Sequence, residues 1–320
     1  MKLVFKNENF KPKIAILIPA YNEENNIEYS YEYLGSEFKS LVEKNIISKD
    51  SIILYIDDGS TDETFKRIKN LKNKDIKIKA ISLQKNYGHQ YALLAAYKYL
   101  LNKVDAFISI DCDLQHDFTK IDEFIHLYRK GYDVVNSKRI NRNTDSILKK
   151  YFSNIFYFIY YLISGENING YSDFRLISNN AAKELLKKIE HPPFIRGAVN
   201  RLNLSIAKIN TSVKKRKYGE TKYSFKKMLF LALSSFFSNK KIVIFLILLS
   251  IIILELFYAI YILFTYIYNE NLITGWSSII ISITFSIILI TIVLIQNIKN
   301  NSSNPDKKQN LKQINIKDFL

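Results

Sequence analysis

The stretch Ser109-Ile110-Asp111-Cys112-Asp113-Leu114-Gln115-His116-Asp117 decides the fold, because it sets a pair of carboxylates at the end of an apolar run. Val104 to Ile110 reads as a buried strand, so Asp111 falls where that strand gives way to a loop. In an open α/β sheet this carboxyl edge is where ligands bind. If the chain stays extended, Asp111 and Asp113 share one face and Gln115 is next on it. Two carboxylates and an amide oxygen suit a hard divalent cation, Mg²⁺ or Mn²⁺, which can neutralise a diphosphate; that implies a nucleotide-activated substrate. The same pair is also what a solvated turn after a strand shows, so the surrounding chain has to decide.

Upstream, Lys13 to Ile18 reads as a first strand that runs into Pro19-Ala20-Tyr21-Asn22-Glu23-Glu24, where a helix to about Glu43 begins. Ser51 to Ile56 is a second strand, ending in Asp57-Asp58-Gly59-Ser60-Thr61-Asp62. Gly59 permits a sharp turn there, and Ser60 or Thr61 is placed to cap the helix that follows. Asp58 and Asp62 read as turn and helix caps. Ile76 to Leu83 and Gly88 to Leu101 make a third strand and helix. Downstream of Asp111 come a helix from about Thr119 to Lys130 and a short strand, Asp133 to Ser137. Alternating strands and helices imply a mostly parallel sheet with crossover helices. The acidic or polar clusters at residues 19–24, 57–62 and 111–117 then meet on one sheet edge. No Gly-x-Gly-x-x-Gly or Gly-x-x-x-x-Gly-Lys follows a strand, so phosphate binding has to rest on metal and cationic side chains.

Bulk properties point the same way. The 320 residues carry 46 Lys+Arg against 30 Asp+Glu, a formal charge of +16, which implies anionic partners. The single cysteine, Cys112, excludes an intrachain disulfide and reads as a small buried residue. Cationic candidates are Lys138-Arg139, Arg142, Arg175, Arg196, the run Lys214-Lys215-Arg216-Lys217, and Lys222. That run also suits a solvated loop or a patch resting on anionic lipid. His89, His126 and His191 show no ligand spacing.

The last third is different in kind. Ile242 to Tyr268 contains one charged residue, Glu255, and Ser277 to Ile298 contains none, so each is long enough to span a bilayer. The aromatic stretch Tyr151 to Ile163 is too short to span and reads as a core or interfacial helix, and Tyr223 to Ser238 as an amphipathic one. The expected organisation is a catalytic domain over 1–222 with an interfacial helix near 147–163, then a juxtamembrane helix over 223–240. Two transmembrane helices over 241–298 and a polar, mobile tail over 299–320 follow. Lysines flank the outer ends of the spans and none lies between them, which puts the catalytic domain and the tail on the cytoplasmic side. Glu255 is expected to face the other helix or a neighbouring subunit, so the spans offer a contact for homo-oligomers. Because the basic clusters sit beside membrane elements, lipid bilayer is favoured over nucleic acid as a partner.

Read together, Ile18-Pro19-Ala20-Tyr21-Asn22-Glu23-Glu24, Asp57-Asp58-Gly59-Ser60-Thr61-Asp62, Asn86-Tyr87-Gly88-His89, Asp111-Cys112-Asp113-Leu114-Gln115, Asp173-Phe174-Arg175-Leu176, Arg196-Gly197 and Gly219-Glu220-Thr221-Lys222-Tyr223 occur in the order that characterises family 2 glycosyltransferases. The chain most resembles their polyprenyl-phosphate branch, over residues 13 to about 298. The resemblance implies a GT-A nucleotide-sugar-binding domain in a bacterial inner membrane. It also implies transfer of a sugar, with inversion, from a nucleotide diphosphate-sugar such as UDP-glucose or UDP-N-acetylglucosamine to undecaprenyl phosphate.

By the same resemblance Pro19, Tyr21, Glu23 and Asp57 belong to the nucleotide pocket, and Asp111, Asp113 and Gln115 to the metal site. Arg139, Arg175, Arg216 and Lys222 would grip the donor diphosphate and acceptor phosphate. Two places depart from the family pattern: His116-Asp117-Phe118 stands where relatives carry Asp-Pro-Pro, and Arg201 and Asn203 stand near a usual Trp and Gly. A processive polysaccharide synthase would carry Gln-x-x-Arg-Trp before its spans, and the only tryptophan is Trp276. A non-catalytic scaffold binding nucleotide or acidic lipid is the remaining alternative, and the Asp111/Asp113 pair argues against it.

Overall fold

Near-continuous apolar runs become strands when both of their faces are covered, and β1 shows this at every position. In the computed structural model β1 (Ile14–Ala20) is buried throughout. Its side chains alternate between two cores: Ile14, Ile16 and Ile18 point into one, Ala15 and Leu17 into the other. The structure describes residues 6–212 apart from 8, 114, 141–152, 155–156, 159, 162–166 and 190–192. It also describes Lys240–Tyr268, scattered positions between 278 and 292, and Ile316–Phe319.

After β1 come α1 (Glu24–Glu43), β2 (Ile52–Asp57), α2 (Thr64–Lys74), β3 (Ile78–Leu83), α3 (His89–Leu100) and β4 (Ala106–Ser109). A 3-10 turn (Phe118–Lys120), α4 (Ile121–Arg129) and β5 (Val134–Arg139) follow. Then come β6 (Tyr171–Ser178), α5 (Asn179–Lys188), α6 (Ile195–Asn200), β7 (Ile206–Thr211), α7 (Lys240–Tyr268) and β8 (Ile316–Phe319). One sheet of eight strands runs in the order β7-β5-β6-β4-β1-β2-β3-β8. Strands β4, β1, β2 and β3 are parallel neighbours, as the alternation predicts. Strand β6 runs antiparallel to both β4 and β5, and β7 pairs parallel to β5.

This topology decides what meets at the carboxyl edge. β1, β2 and β4 end there, in Ala20, Asp57 and Ser109. β6 runs the other way, so it brings its start to the same place: Ser109 pairs with Arg175, and Asp173 lies just beyond. β5 also ends there, with Lys138 paired to Tyr171. The clusters expected to converge do so, and β6 adds a further one.

The loops at this edge are stitched to one another. Asn22, with φ of 53°, donates its N–H to Ser60 Oγ at 3.0 Å and accepts from Thr61 N–H at 2.9 Å. Glu23 N–H donates to Thr64 Oγ1 at 2.8 Å. Ser60 and Thr61 are therefore used in joining loops, not in capping α2; Asp62 serves that helix by accepting from Thr64 N–H at 3.0 Å. Gly59 has φ of +67°, and a Cβ on it would lie 2.6 Å from Lys85 Cα.

One expectation for the C-terminal third needs adjustment. The tail is not polar and mobile throughout, because Ile316–Phe319 forms β8 against β3. Among the described residues no helix is long and apolar enough to cross a membrane. The first expected span coincides with α7, one helix of 29 residues, roughly 43 Å at 1.5 Å per residue. Glu255 faces the second apolar stretch as expected: Ser282 Oγ donates to its carboxylate at 2.8 Å and Ser286 Oγ donates to it as well. The juxtamembrane helix expected over 223–240 lies outside the described residues, except Lys240.

Gly59→Ala is expected to lower stability by about 1–3 kcal/mol, through left-handed strain and the collision with the Lys85 backbone. Thermal unfolding of the purified variant measures it, and an unchanged midpoint would show that the two loops do not pack as described.

Candidate active site

Two carboxylates face one imidazole at the sheet edge. His89 opens α3 after Gly88, whose φ is +99°. Its Nε2 lies 3.8 Å from Asp111 Oδ1 and 3.8 Å from Asp173 Oδ2. The loop before it is pinned by Asp58, which is buried and accepts Tyr87 N–H at 2.9 Å and Gly88 N–H at 2.8 Å. Asp58 thus holds a neighbouring loop and caps no helix.

Asp111 is partly open to solvent. His116, buried and stacked near Phe174, contacts its other oxygen through Nε2 at 3.2 Å. Burial pushes the Asp111 carboxyl up, but the His116 hydrogen bond and the charges of His89 and His116 outweigh it and leave it at about 2. The chain turns at Cys112 and Asp113, so the relation between Asp111 and Asp113 is set by a turn and not by strand alternation. Asp113 Oδ1 accepts Gln115 N–H at 3.2 Å, and Cys112 is buried.

Among the described residues no three His, Cys, Asp or Glu side chains gather as a metal cage. Two carboxylates in one short turn, one of them ionised at neutral pH, fit a different kind of site. Mg²⁺-like ions take one or two protein carboxylates and complete their shell with water and substrate phosphate.

Asp173 is paired with two arginines. Arg175 Nη2 lies 2.6 Å from its Oδ1 and Arg196 Nη2 3.2 Å from its Oδ2. Burial pushes this carboxyl up, and Arg196, Arg175, His89 and Arg139 together hold it well below the usual carboxylate range. Arg196 in turn donates through Nη1 to Tyr157 Oη at 3.3 Å. Burial lowers the Arg196 guanidinium, but Asp173 and Tyr157 more than offset that and raise it above its ordinary value. Next to it, a Cβ on Gly197 would collide with Tyr160 Oη and come within 2.8 Å of Phe194 Cδ1. The aromatic segment therefore packs directly on Arg196 and Gly197 in the first turn of α6.

The expected site residues fall into groups. Asp57, Asp111, Asp113, Gln115 and Arg139 share the carboxyl edge with Pro19, Tyr21 and Glu23. Asp57 is 2 % exposed, with Oδ2 accepting from Ser82 Oγ at 2.7 Å and Oδ1 from Ser60 N–H at 3.1 Å. Pro19 is buried at the end of β1, Tyr21 is half-buried, and Glu23 Oε2 accepts from Asn26 Nδ2 at 2.6 Å. Arg139 ends β5 with its Nε buried and unpartnered among the described residues. Arg175 is 1 % exposed and its Nη2 turns inward to Asp173 and Ser172 O, so it serves Asp173 from inside the sheet. Arg216 and Lys222 lie outside the described residues.

Reading by motif passed over the groups at the centre. Asp173 stood in a quoted motif without a role, Arg196 was only one cation among several, and His89 had no ligand spacing. A carboxylate two positions from an arginine, which share one face if the segment is extended, was the available signal for Asp173.

Fold and site together define an α/β protein whose mixed sheet presents ionised carboxylates and arginines to a ligand at one edge. The chain belongs to the family of this description, Glycosyl transferase family 2, whose model matches residues 15–189. It is 35% identical over 221 residues to the Bacillus subtilis protein named uncharacterized glycosyltransferase YkoT, covering 68% of this chain and 65% of that one, just under two thirds of the relative's length. It is 31% identical to the Escherichia coli prophage bactoprenol glucosyl transferase homolog, covering 69% of this chain and 70% of that one. Among solved structures, glucosyl-3-phosphoglycerate synthase from Mycobacterium tuberculosis, in complex with Mn²⁺, UDP and glucosyl-3-phosphoglycerate, aligns with a TM-score of 0.48 at 16% identity, covering 69% of this chain and 76% of that one.

Two outcomes are expected here. Burial pushes the Asp58 carboxyl up, the N–H donors of Tyr87 and Gly88 and the charge of His89 pull it down, Asp57 raises it, and the balance is about 6. The folded value exceeds the unfolded one, so Asp58 contributes stability that is complete below about pH 4 and lost as pH rises through 6, on the order of 3 kcal/mol. Unfolding measured from pH 4 to 7 should show this slope, and Asp58→Asn should remove it; the same slope in both proteins would refute the assignment. Arg175→Met should cost about 3–5 kcal/mol by leaving the Asp173 carboxylate half-paired, and adding Asp173→Asn should recover part of that loss in a double-mutant cycle. Additive losses would show that the pair is not coupled.

Proposed function

We propose that this chain is a membrane-bound, inverting glycosyltransferase that moves a sugar from a nucleotide diphosphate-sugar to polyprenyl phosphate. The observation that carries the reading is the meeting of Asp57, Asp111, Asp173 and Arg196 at one sheet edge, in a chain of glycosyl transferase family 2. Its relative named for bactoprenol glucosyl transfer supports a prenyl-phosphate acceptor and makes UDP-glucose the first donor to test, with UDP-N-acetylglucosamine next.

Chemically, an acceptor phosphate is already an anionic oxygen nucleophile near neutral pH, so the reaction has no strict need of a general base. The protein's work is alignment and charge compensation. Asp111 and Asp113 are the residues that would hold a Mg²⁺ or Mn²⁺ ion, which when bound supplies Lewis-acid neutralisation of the donor diphosphate. His116 fixes the Asp111 carboxylate from behind. Arg196 and Arg175 keep Asp173 ionised and in place, and Arg139 brings a cation to the same edge. Outside the described residues, Arg216 and Lys222 are the further cations assigned to the two phosphates.

Membrane attachment through 241–298, with the catalytic domain and tail on the cytoplasmic side of a bacterial inner membrane, is part of the proposal. Its support is the apolar sequence of the two stretches and the lysines at their outer ends. β8 adds a geometric argument: residues 316–319 return to the sheet that holds β1, so any bilayer crossed in between is crossed an even number of times. Phe158 and Tyr161, 62% and 49% exposed, offer an aromatic face to a lipid interface. Pairing of the spans between subunits is the route proposed for any homo-oligomer.

Purified protein incubated with undecaprenyl phosphate, Mg²⁺ or Mn²⁺ and a panel of nucleotide-sugars should yield one glycosylated lipid detectable by mass spectrometry. Asp113→Ala should reduce its formation about 100-fold or more while the domain stays folded. Full transfer by the folded variant would remove the metal assignment, and metal-dependent binding of a nucleotide-sugar without turnover would favour the scaffold reading.

A further inference from the structure

Strand β8 lies where the sheet would otherwise end. Beyond β2 the order is β3 and then β8, with Ile81 facing Phe319, Ser82 facing Asp318 and Leu83 facing Ile316, and an irregularity between Ser82 and Leu83. An uncovered β3 would present a row of unpaired N–H and C=O groups, whereas β8 is short and carries Lys317 and Asp318, the composition of a protected edge.

The covered strand is the one that reaches Asp57. Ser82 pairs with Asp57 across β2 and β3, is itself buried, and donates its hydroxyl to Asp57 Oδ2 at 2.7 Å. Ser60 N–H holds the other oxygen at 3.1 Å. Immediately after Leu83 the chain enters the loop whose Lys85 backbone packs on Gly59 and whose Tyr87 and Gly88 N–H groups are gripped by Asp58. A lateral shift of β3 therefore moves both Asp57's hydroxyl partner and the loop that carries His89.

We propose that Ser82 is a positioning residue for Asp57, and that Ile316–Phe319 is the strap that keeps β3, and with it Ser82, in register. The proposal rests on the reading of Asp57 as part of the nucleotide pocket. Ser82 touches no substrate in this account; it fixes one carboxylate oxygen and leaves that oxygen's second lone pair for an N–H of the nucleotide base. The segment joined to the end of the apolar stretches thus becomes a structural part of the nucleotide side of the site.

The test uses the full chain in detergent, with Lys317→Pro/Asp318→Pro to break the ladder, and Ser82→Ala and Ser82→Thr to vary the hydroxyl. In the unsubstituted protein those amides of Ile316–Phe319 that point to β3 should exchange slowly with deuterated solvent. In the proline variant, exchange within Ile78–Leu83 should accelerate about tenfold while β1 keeps its protection. UDP with Mn²⁺ serves as the binding probe: affinity should fall about three- to tenfold in the proline variant and in Ser82→Ala, and Ser82→Thr should restore it. In turnover the same variants should raise the donor KM and leave kcat near the parent value. Unaltered exchange in β3 overturns the strap. Faster exchange with unchanged UDP affinity overturns its link to Asp57, as does a Ser82→Ala protein that binds UDP normally. An unsubstituted protein that fails to bind UDP at all overturns the nucleotide-pocket reading, while the exchange data still decide the strap.

Discussion

The constraint on which the site depends is the need to keep two carboxylates ionised in a partly buried place. Asp111 and Asp173 approach the same imidazole, and without compensation their mutual repulsion and desolvation would protonate one of them. Compensation comes from different directions: His116 behind Asp111, and Arg175 and Arg196 on the two oxygens of Asp173. This explains the antiparallel course of β6. Starting where β4 ends, β6 brings Asp173 to the imidazole that Asp111 also approaches and buries Arg175 beneath it.

The loops before this edge are built on the same economy of backbone donors. Asn22, Ser60, Asp62 and Asp58 each accept an N–H from a neighbouring loop. The ends of β1, β2 and β3 are thus joined by hydrogen bonds that run across the sheet edge. Gly59 is what lets the second and third loops touch backbone to backbone. An edge bound together in this way has little freedom to rearrange when a ligand arrives, which suits chemistry that depends on alignment more than on acid or base strength.

Much of this was legible in the sequence, for a physical reason that also marks where legibility ended. β1 to β4 are short apolar runs closed by turn residues, and Gly59 and the Asp-x-Asp pair fall just past strand ends, whereas β1 runs on through Pro19 to Ala20. β6 was not readable because Ser172, Asp173 and Arg175 interrupt its apolar pattern; it is a strand through pairing on both sides with residues distant in the chain. β7, Ile206–Thr211, mixes apolar and polar residues over only six positions, and β8 has four residues, two of them charged, so neither yields a periodic signal. Composition likewise cannot say which way a charge faces. Arg175 reads as an available cation until the fold turns it inward, whereas Cys112 and the inward contact of Glu255 were foreseeable because each was the single group of its kind in its surroundings.

The aromatic segment lies against the arginine that holds Asp173. Its described residues divide by face: Tyr157 and Tyr160 turn toward Arg196 and Gly197, while Phe158 and Tyr161 turn outward. Tyr160 is fully buried with Phe194, Ile168 and Tyr171 in a small core of its own, separate from the two that cover the sheet. That core sits between an exposed aromatic face and the arginine that holds Asp173. On the proposed reading, the segment whose outer face meets lipid is linked to the carboxylate that meets substrate through Tyr157 and Arg196. Such closeness is what the reaction demands, because a prenyl phosphate brings its anionic head only as far from the bilayer as its own headgroup extends, and the protein has to supply the rest of the distance by placing its charged groups beside the surface on which the lipid lies.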